Sequence, residues 1–139
     1  MSDTAKDFNE TIIEEFRTNG GKVGGMFEGR DLLLLHTTGA KSGRPRVNPL
    51  AYRRDGDRLV VFGSKGGADT HPDWYYNVRA HPEASVEVGA ERFDVVARIA
   101  EGAEHDRIWR AQKSDTPAFA EYEQKTDRVI PVVVLEQTT

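Results

Sequence analysis

Six short runs rich in Val, Leu, Ile and Phe, at 32–38, 46–54, 58–63, 84–88, 91–99 and 129–135, cut most of the chain into pieces of strand length. Branched and aromatic residues in runs of this size suit a pleated, half-buried surface, so each run is read as a strand. The connections carry turn chemistry. Asp55-Gly56-Asp57 predicts a tight hairpin, because Asp-Gly tolerates the positive φ angles such turns require, and Gly89-Ala90 predicts a second. Helical patterns are few. In DTAKDFNETIIEEFRTNGG, Phe8, Ile12 and Phe16 recur every four residues with Ile13 beside them, giving one apolar face that Gly20 and Gly21 would end. HPDWYYNVRAHP predicts a short helix framed by Pro72 and Pro82, and EGAEHDRIWRAQKSDTPAFAEYEQKTDR predicts two more, interrupted near Pro117. Hairpin-linked strands with scattered helices predict a mainly β (α+β) chain, a small antiparallel barrel with outer helices. Without a repeat or linker, residues 1–139 are read as a single domain, with an N-terminal helix over 1–21 and a barrel core over 32–136.

Composition narrows the chemistry. A chain of 139 residues can hide about two-thirds of its unfolded surface, enough for one core without staples. It has no cysteine, which removes disulfides, thiolate metal sites and cysteine nucleophiles. No apolar stretch approaches the roughly 20 residues that span a bilayer, and the polar start MSDTAKDFNE is unlike a signal peptide. A cytoplasmic protein without a transmembrane segment is expected. The first helix leaves peripheral membrane contact open, although its polar face is acidic.

Charge is unevenly placed. The net charge is −4, yet between His36 and Gly67 seven basic residues (Lys41, Arg44, Arg46, Arg53, Arg54, Arg58, Lys65) face only Asp55 and Asp57. That local +5 leaves −9 for the rest. Overall acidity argues against a nucleic-acid binder, which needs a continuous basic face. The asymmetry instead marks one anion-binding region.

Several chemistries are then excluded. GAKSG at 39–43 resembles a phosphate-binding loop, but Ala40 precedes Lys41 where glycine is required, and Pro49 and strand residues follow where a helix is required. No GxGxxG fingerprint occurs. His36, His71, His81 and His105 lack metal-ligand spacing, so no metal site is expected. Ser42 and Ser64 stand near glycines without the GxSxG elbow of hydrolases. What survives is a two-part anion site. Lys41, Ser42 and Gly43 form a turn whose amides and ammonium can converge on an oxyanion, and Arg46 adds a planar fork. GSKGG at 63–67 repeats the theme directly after the strand LVVF. Trp74, Tyr75, Tyr76, Trp109, Phe119 and Tyr122 follow, and those not consumed by the core could wall a pocket for a planar ligand.

TTGAKSGRPRVNPL, DGDRLVVFGSKGG, HPDWYYNVRAHP and TDRVIPVVVLE, in this order from Leu32 to Glu136, resemble the deazaflavin-dependent nitroreductase family of actinobacteria. The resemblance implies a split β-barrel like that of pyridoxamine phosphate oxidases, and an oxidoreductase using reduced coenzyme F-420, an 8-hydroxy-5-deazaflavin. It implies that Lys41, Ser42 and Arg46, with the strand Val47, Asn48, Pro49, Leu50 and Ala51, hold the coenzyme's phosphate and acidic tail, with Arg44 auxiliary. Phe62, Gly63, Ser64 and Lys65 would border the ring, and Asp73, Trp74, Tyr75, Tyr76 and Asn77 would complete its site. Tyr122 matches a tyrosine on the acceptor side. Phe119, Thr116 and Ala51 stand where nitroreductase members can have tyrosines, a departure that bears on bulky nitroimidazole substrates. The implied reaction is hydride transfer to an electron-poor small molecule such as a quinone, an enone or a nitroaromatic, with Ser64 and Tyr122 as candidate catalytic groups. A coenzyme carrier without catalysis, and a split barrel holding FMN or haem, remain as alternatives. Homodimer formation is compatible with the fold.

Overall fold

A computed structural model describes residues 4–20 and 32–138. Gly21 and the side chain of Phe8 lie outside the described residues. Six antiparallel strands, β1 (Leu32–Thr38), β2 (Pro45–Asp55), β3 (Arg58–Phe62), β4 (Glu83–Val88), β5 (Glu91–Ile99) and β6 (Val132–Gln137), close into a barrel in the order β1-β2-β3-β6-β5-β4. The helices are α1 (Thr4–Thr18), α2 (Asp73–Ala80), α3 (Gly102–Asp115) and α4 (Ala118–Gln124). Both expected hairpins form, joining β2 to β3 and β4 to β5.

One expectation fails. The last strand begins at Val132, not at 129. Pro131 has no N–H to give a ladder, Val129 is 72% exposed, and the preceding loop turns its Arg128 inward instead.

The barrel walls explain why LLLL at 32–35 and VVV at 132–134 do not alternate with polar residues. Leu33, Leu35, Leu59, Val61, Val133 and Leu135 form the interior cluster with Val86 and Val95. Their strand neighbours point the other way, as the period of two dictates, and helices cover them. Leu32 and Leu34 pack against Ile12 and Phe16 of α1. Val60, Phe62, Val132 and Val134 pack against Ile108 and Trp109 of α3 and Phe119 of α4. Strands buried on both faces read as continuous apolar runs.

Two carboxylates fasten outer parts to this wall. Glu87 of β4 accepts from Arg17 of α1 at 2.7 Å and pairs with His36 of β1 at 2.5 Å, which holds its carboxyl at about 2 against a usual 4.5. Asp55 accepts from Arg107 at 3.0 and 3.1 Å and from Arg58 at 2.6 Å, and is likewise lowered to about 2. A folded-state pKa below the unfolded one gives stability that is present above the unfolded value and lost as pH falls. The melting temperature should therefore decline between about pH 5 and pH 2, with Glu87→Gln flattening part of that decline. A wild-type curve that is level across this window would contradict these two clasps.

Candidate functional site

Strand directions bring the two glycine-rich turns together. β1 ends at Thr38 opposite Pro45, where β2 begins, and β3 ends at Phe62 opposite Val132. The 39–44 turn, the 63–67 turn, α2 and the 125–131 loop therefore crowd one end of the barrel, with the hairpins of Gly56 and Gly89 at the other.

The first turn is closed by Gly39 N–H donating to the Arg44 carbonyl at 2.8 Å and Gly43 N–H donating to the Gly39 carbonyl at 3.0 Å. Gly43 sits at φ +69, in the left-handed region that glycine enters without steric cost. The Ser42 hydroxyl accepts from Arg44 N–H at 3.1 Å. Residues 40–46 are exposed, and among the described residues no carboxylate pairs with Lys41, Arg44 or Arg46. Other members of the basic tract are spent inside the protein: Arg53 pairs with Asp115, Arg58 with Asp55 and Glu104, and Arg54 lies over the Tyr52 ring. Among the described residues the cations of the tract left with neither a carboxylate nor a ring are Lys41, Arg44 and Arg46 of the first turn and Lys65 of the second. The anchor of the first turn is Asn77 of α2, whose side-chain oxygen accepts from Ala40 N–H at 2.9 Å and whose amide donates to the Thr37 hydroxyl at 3.1 Å.

The second turn is more constrained. Lys65 has φ +48, an unusual value for a residue with a side chain, costing on the order of 1 to 3 kcal/mol. Its ammonium donates to the Thr70 hydroxyl at 3.1 Å. Gly67 follows at φ +87, so close to α4 that an added Cβ would meet the Tyr122 carbonyl at 2.8 Å and the Lys125 Cβ at 3.0 Å. This contact sets Tyr122 beside the turn. α4 is braced from behind by Glu123, which accepts from the Trp109 indole at 2.5 Å and from Lys113 at 2.9 Å, contacts that lower its pKa. Among the described residues the hydroxyls of Ser64 and Tyr122 make no hydrogen bond, leaving both available.

Not every residue singled out from sequence offers its side chain here. Trp74 is 3% exposed and plugs the barrel interior with Val78. Asn77 is buried with both polar ends engaged, so it shapes the first turn from beneath. Phe62 lies in the α3–α4 cluster, with ring centroids 5.7 Å from Trp109 and 5.5 Å from Phe119. Val47 and Ala51 pack beside α1, whereas Leu50 of the same strand belongs to the interior. Asn48 and Pro49 are half-buried on that strand. Lys41, Ser42, Arg46, Gly63, Ser64, Lys65, Asp73, Tyr75 and Tyr76 remain gathered at the site end. Arg128 was not singled out. It reaches Gly63, Ser64, Ala68 and His71 from the loop before β6.

A model of the F-420H(2)-dependent quinone reductase family matches residues 10–137. The chain belongs to this family. An F-420H(2)-dependent quinone reductase of Mycobacterium tuberculosis is 40% identical over 124 residues, covering 86% of this chain and 83% of that one. Among solved structures, an F-420-H2 dependent reductase, FDR-A, is 42% identical with a TM-score of 0.69, covering 76% of this chain and 93% of that one. A domain-swapped dimer is 38% identical with a TM-score of 0.71 over 96% and 98% of the two chains. The haem storage protein HutZ of Vibrio cholerae, 17% identical with a TM-score of 0.61 over 94% of this chain and 90% of that one, shares the fold alone.

This family member is thus a reductase dependent on reduced coenzyme F-420, built on the split barrel of the pyridoxamine phosphate oxidase type. Its site end suits that coenzyme chemically. Among the described residues Lys41, Arg44 and Arg46 meet no carboxylate, a donor set that fits an anionic arm, and the glycines at 39, 43, 63 and 67 leave stretches of backbone bare enough to fit a flat ring.

Proposed function

We propose that the two turns divide one coenzyme between them, and that the acceptor is a quinone. The observation carrying this reading is that, among the described residues, Lys41, Arg44 and Arg46 meet no carboxylate and stand at the same barrel end as the Ser64 and Tyr122 hydroxyls, which make no hydrogen bond there. Lys41, Ser42 and Arg46, with Arg44 beside them, would hold the phosphate and acidic tail through charge-assisted bonds. Ser64, Lys65 and Gly63, with Asp73, Tyr75 and Tyr76 of the facing helix, would border the ring. Reduced coenzyme, when bound, supplies a hydride equivalent. The protein's part is to orient the acceptor beside the second turn and to offer donors where its oxygen gains negative charge. In this reading Ser64 Oγ and the Tyr122 phenol would be the donors, and Tyr122 would pass its proton to that oxygen.

Purified protein, reduced coenzyme and menadione mixed without oxygen should oxidise the coenzyme at a protein-dependent rate. No acceleration with any quinone, enone or nitroaromatic, despite tight coenzyme binding, would instead favour a carrier. A yellow flavin or a Soret band in the protein as isolated would assign the barrel to FMN or haem. Tyr122→Phe should lower turnover about tenfold while changing coenzyme affinity less than threefold, since only one donor to the acceptor is lost. Equal losses in both would remove Tyr122 from the acceptor side.

The same reading extends to surroundings. A homodimer is supported by the domain-swapped relative and by α1, whose described residues Ile12, Ile13, Phe16 and Arg17 meet the barrel in an attachment a second copy could provide. Light scattering tests it. Among the described residues no helix is long and apolar enough to cross a membrane. The protein would reside in the cytoplasm, and peripheral contact with a bilayer, where lipophilic quinones dissolve, is supported by Tyr76 and Val129, both exposed at the site end. Flotation with liposomes would separate bound from free protein.

A further inference from the structure

Arg128 is the least conventional cation in the molecule. Four of its N–H donors are used: Nε donates to the Ala68 carbonyl at 2.7 Å, Nη1 to the Gly63 carbonyl at 3.0 Å and to His71 Nδ1 at 3.0 Å, and Nη2 to the Ser64 carbonyl at 2.8 Å. Among the described residues no carboxylate lies within ion-pair distance of it. Its three carbonyl acceptors bracket Lys65, two before the left-handed residue and one after, and the guanidinium spans the turn where backbone strain is stored. A planar fork suits this task because its donors are fixed relative to one another, whereas an ammonium on a flexible stem would reach one or two of these carbonyls.

His71 is defined by the same contact. A guanidinium has no acceptor, so Nδ1 must accept and the ring proton must sit on Nε2. Around the imidazole stand Arg128 from the loop, and Tyr75 at 4.6 Å and Tyr76 at 5.8 Å between ring centroids, with Arg79 over the Tyr75 ring at 5.6 Å. Asp69 acts on Arg128 through space. Burial, then the charges of Arg128 and Arg79, push the His71 pKa below its usual value.

We propose that Arg128 is a positioning residue: with neutral His71 as its fourth acceptor, it holds residues 63–68 in the strained form that presents Ser64 and Lys65 to the coenzyme. The functional half rests on the reading that this turn borders the coenzyme, whereas the structural half does not. Protonating His71 removes an acceptor and sets two cations side by side, so acid should loosen the turn.

Hydrogen–deuterium exchange on the coenzyme-free protein tests this directly. The amides of Gly67 and Ala68, which donate to Ser64 and Lys65 at 2.9 and 3.2 Å, report the turn, and those of Leu33 to Leu35 report the barrel. In Arg128→Met the protection factors of the turn should fall about tenfold or more while the barrel amides hold. Arg128→Lys should fall nearly as far, and should it alone fold, it gives the same answer. In the wild type, turn protection should drop as pH falls through the lowered His71 pKa. His71→Asn, which keeps an acceptor near the Nδ1 position, should retain protection and lose that pH dependence. Unchanged turn protection in the Arg128 variants overturns the proposal, as does an identical pH response in His71→Asn. Separately, the Arg128 variants should weaken coenzyme binding by about tenfold. A loosened turn with undiminished binding would overturn the link to the coenzyme, while a wild type that binds no coenzyme would overturn only the reading of the site.

Discussion

Replacing Lys41 and Arg46 together with alanine should lower affinity for coenzyme F-420 about 100-fold. A charge-assisted hydrogen bond contributes about 1.5 to 3 kcal/mol, and solvent screening at exposed side chains trims this toward the lower bound. Two such bonds at about 1.4 kcal/mol each give the two orders of magnitude. Exposure also spares the core from either substitution, since residues 41–46 all lie on the surface and Asn77 continues to hold the turn through the Ala40 amide. Added salt should weaken the wild type steeply and the double variant less, because the ions lost to substitution are those that salt screens. Undiminished affinity in the double variant, measured by titration at low salt, would place the anionic tail elsewhere. Arg53→Ala and Arg58→Ala serve as controls. They come from the same basic tract but already have carboxylate partners, so coenzyme affinity should stay within about twofold.

Gly67→Ala should be the most damaging small substitution at the site end. Its φ of +87 disfavours any side chain, and the new Cβ would collide with the Tyr122 carbonyl, a backbone atom that cannot rotate aside. A strained position of this kind costs about 1 to 3 kcal/mol before the collision is relieved. A loss near 2 kcal/mol corresponds to a drop in melting temperature of about 8 °C for a domain of this size. Relief would come from moving α4, and with it Tyr122. Turnover should then fall more than stability alone accounts for, measured well below the melting transition. Gly56→Ala is the matched comparison: it too has positive φ, +66, but open space around the added Cβ. It should lose stability comparable to the backbone strain alone and keep full turnover. Equal loss of turnover in both variants would detach α4 from the site.

Much of the barrel was legible because two independent signals agreed. Turn chemistry at Gly56 and Gly89 fixed where strands reverse, and runs such as LLLL and VVV showed that both faces of those strands would be covered. The last strand was misplaced by three residues, since Val129 and Ile130 have strand-forming side chains while Pro131 and the inward-turned Arg128 decide otherwise. The first turn was legible through its uncommon density of charge. Which cations were free was less so: Arg58 has Asp55 three residues away, but Arg53 finds its acid 62 residues away in Asp115. Trp74 shows the limit of aromatic patterns, being as plausible a ring wall by sequence as the core plug it is. Arg128 was invisible for a related reason. Its acceptors are carbonyls and a histidine 57 to 65 residues earlier, and carbonyls leave no mark in composition.

In the proposed site one coenzyme engages both turns at one end of the barrel. Hydrogen exchange compared with and without oxidised coenzyme F-420 tests it most directly. Peptides spanning 37–48 and 63–77 should both gain protection, while the hairpins around Gly56 and Gly89 at the opposite end should not change. Saturable binding that protects neither turn, or only one of them, would contradict it.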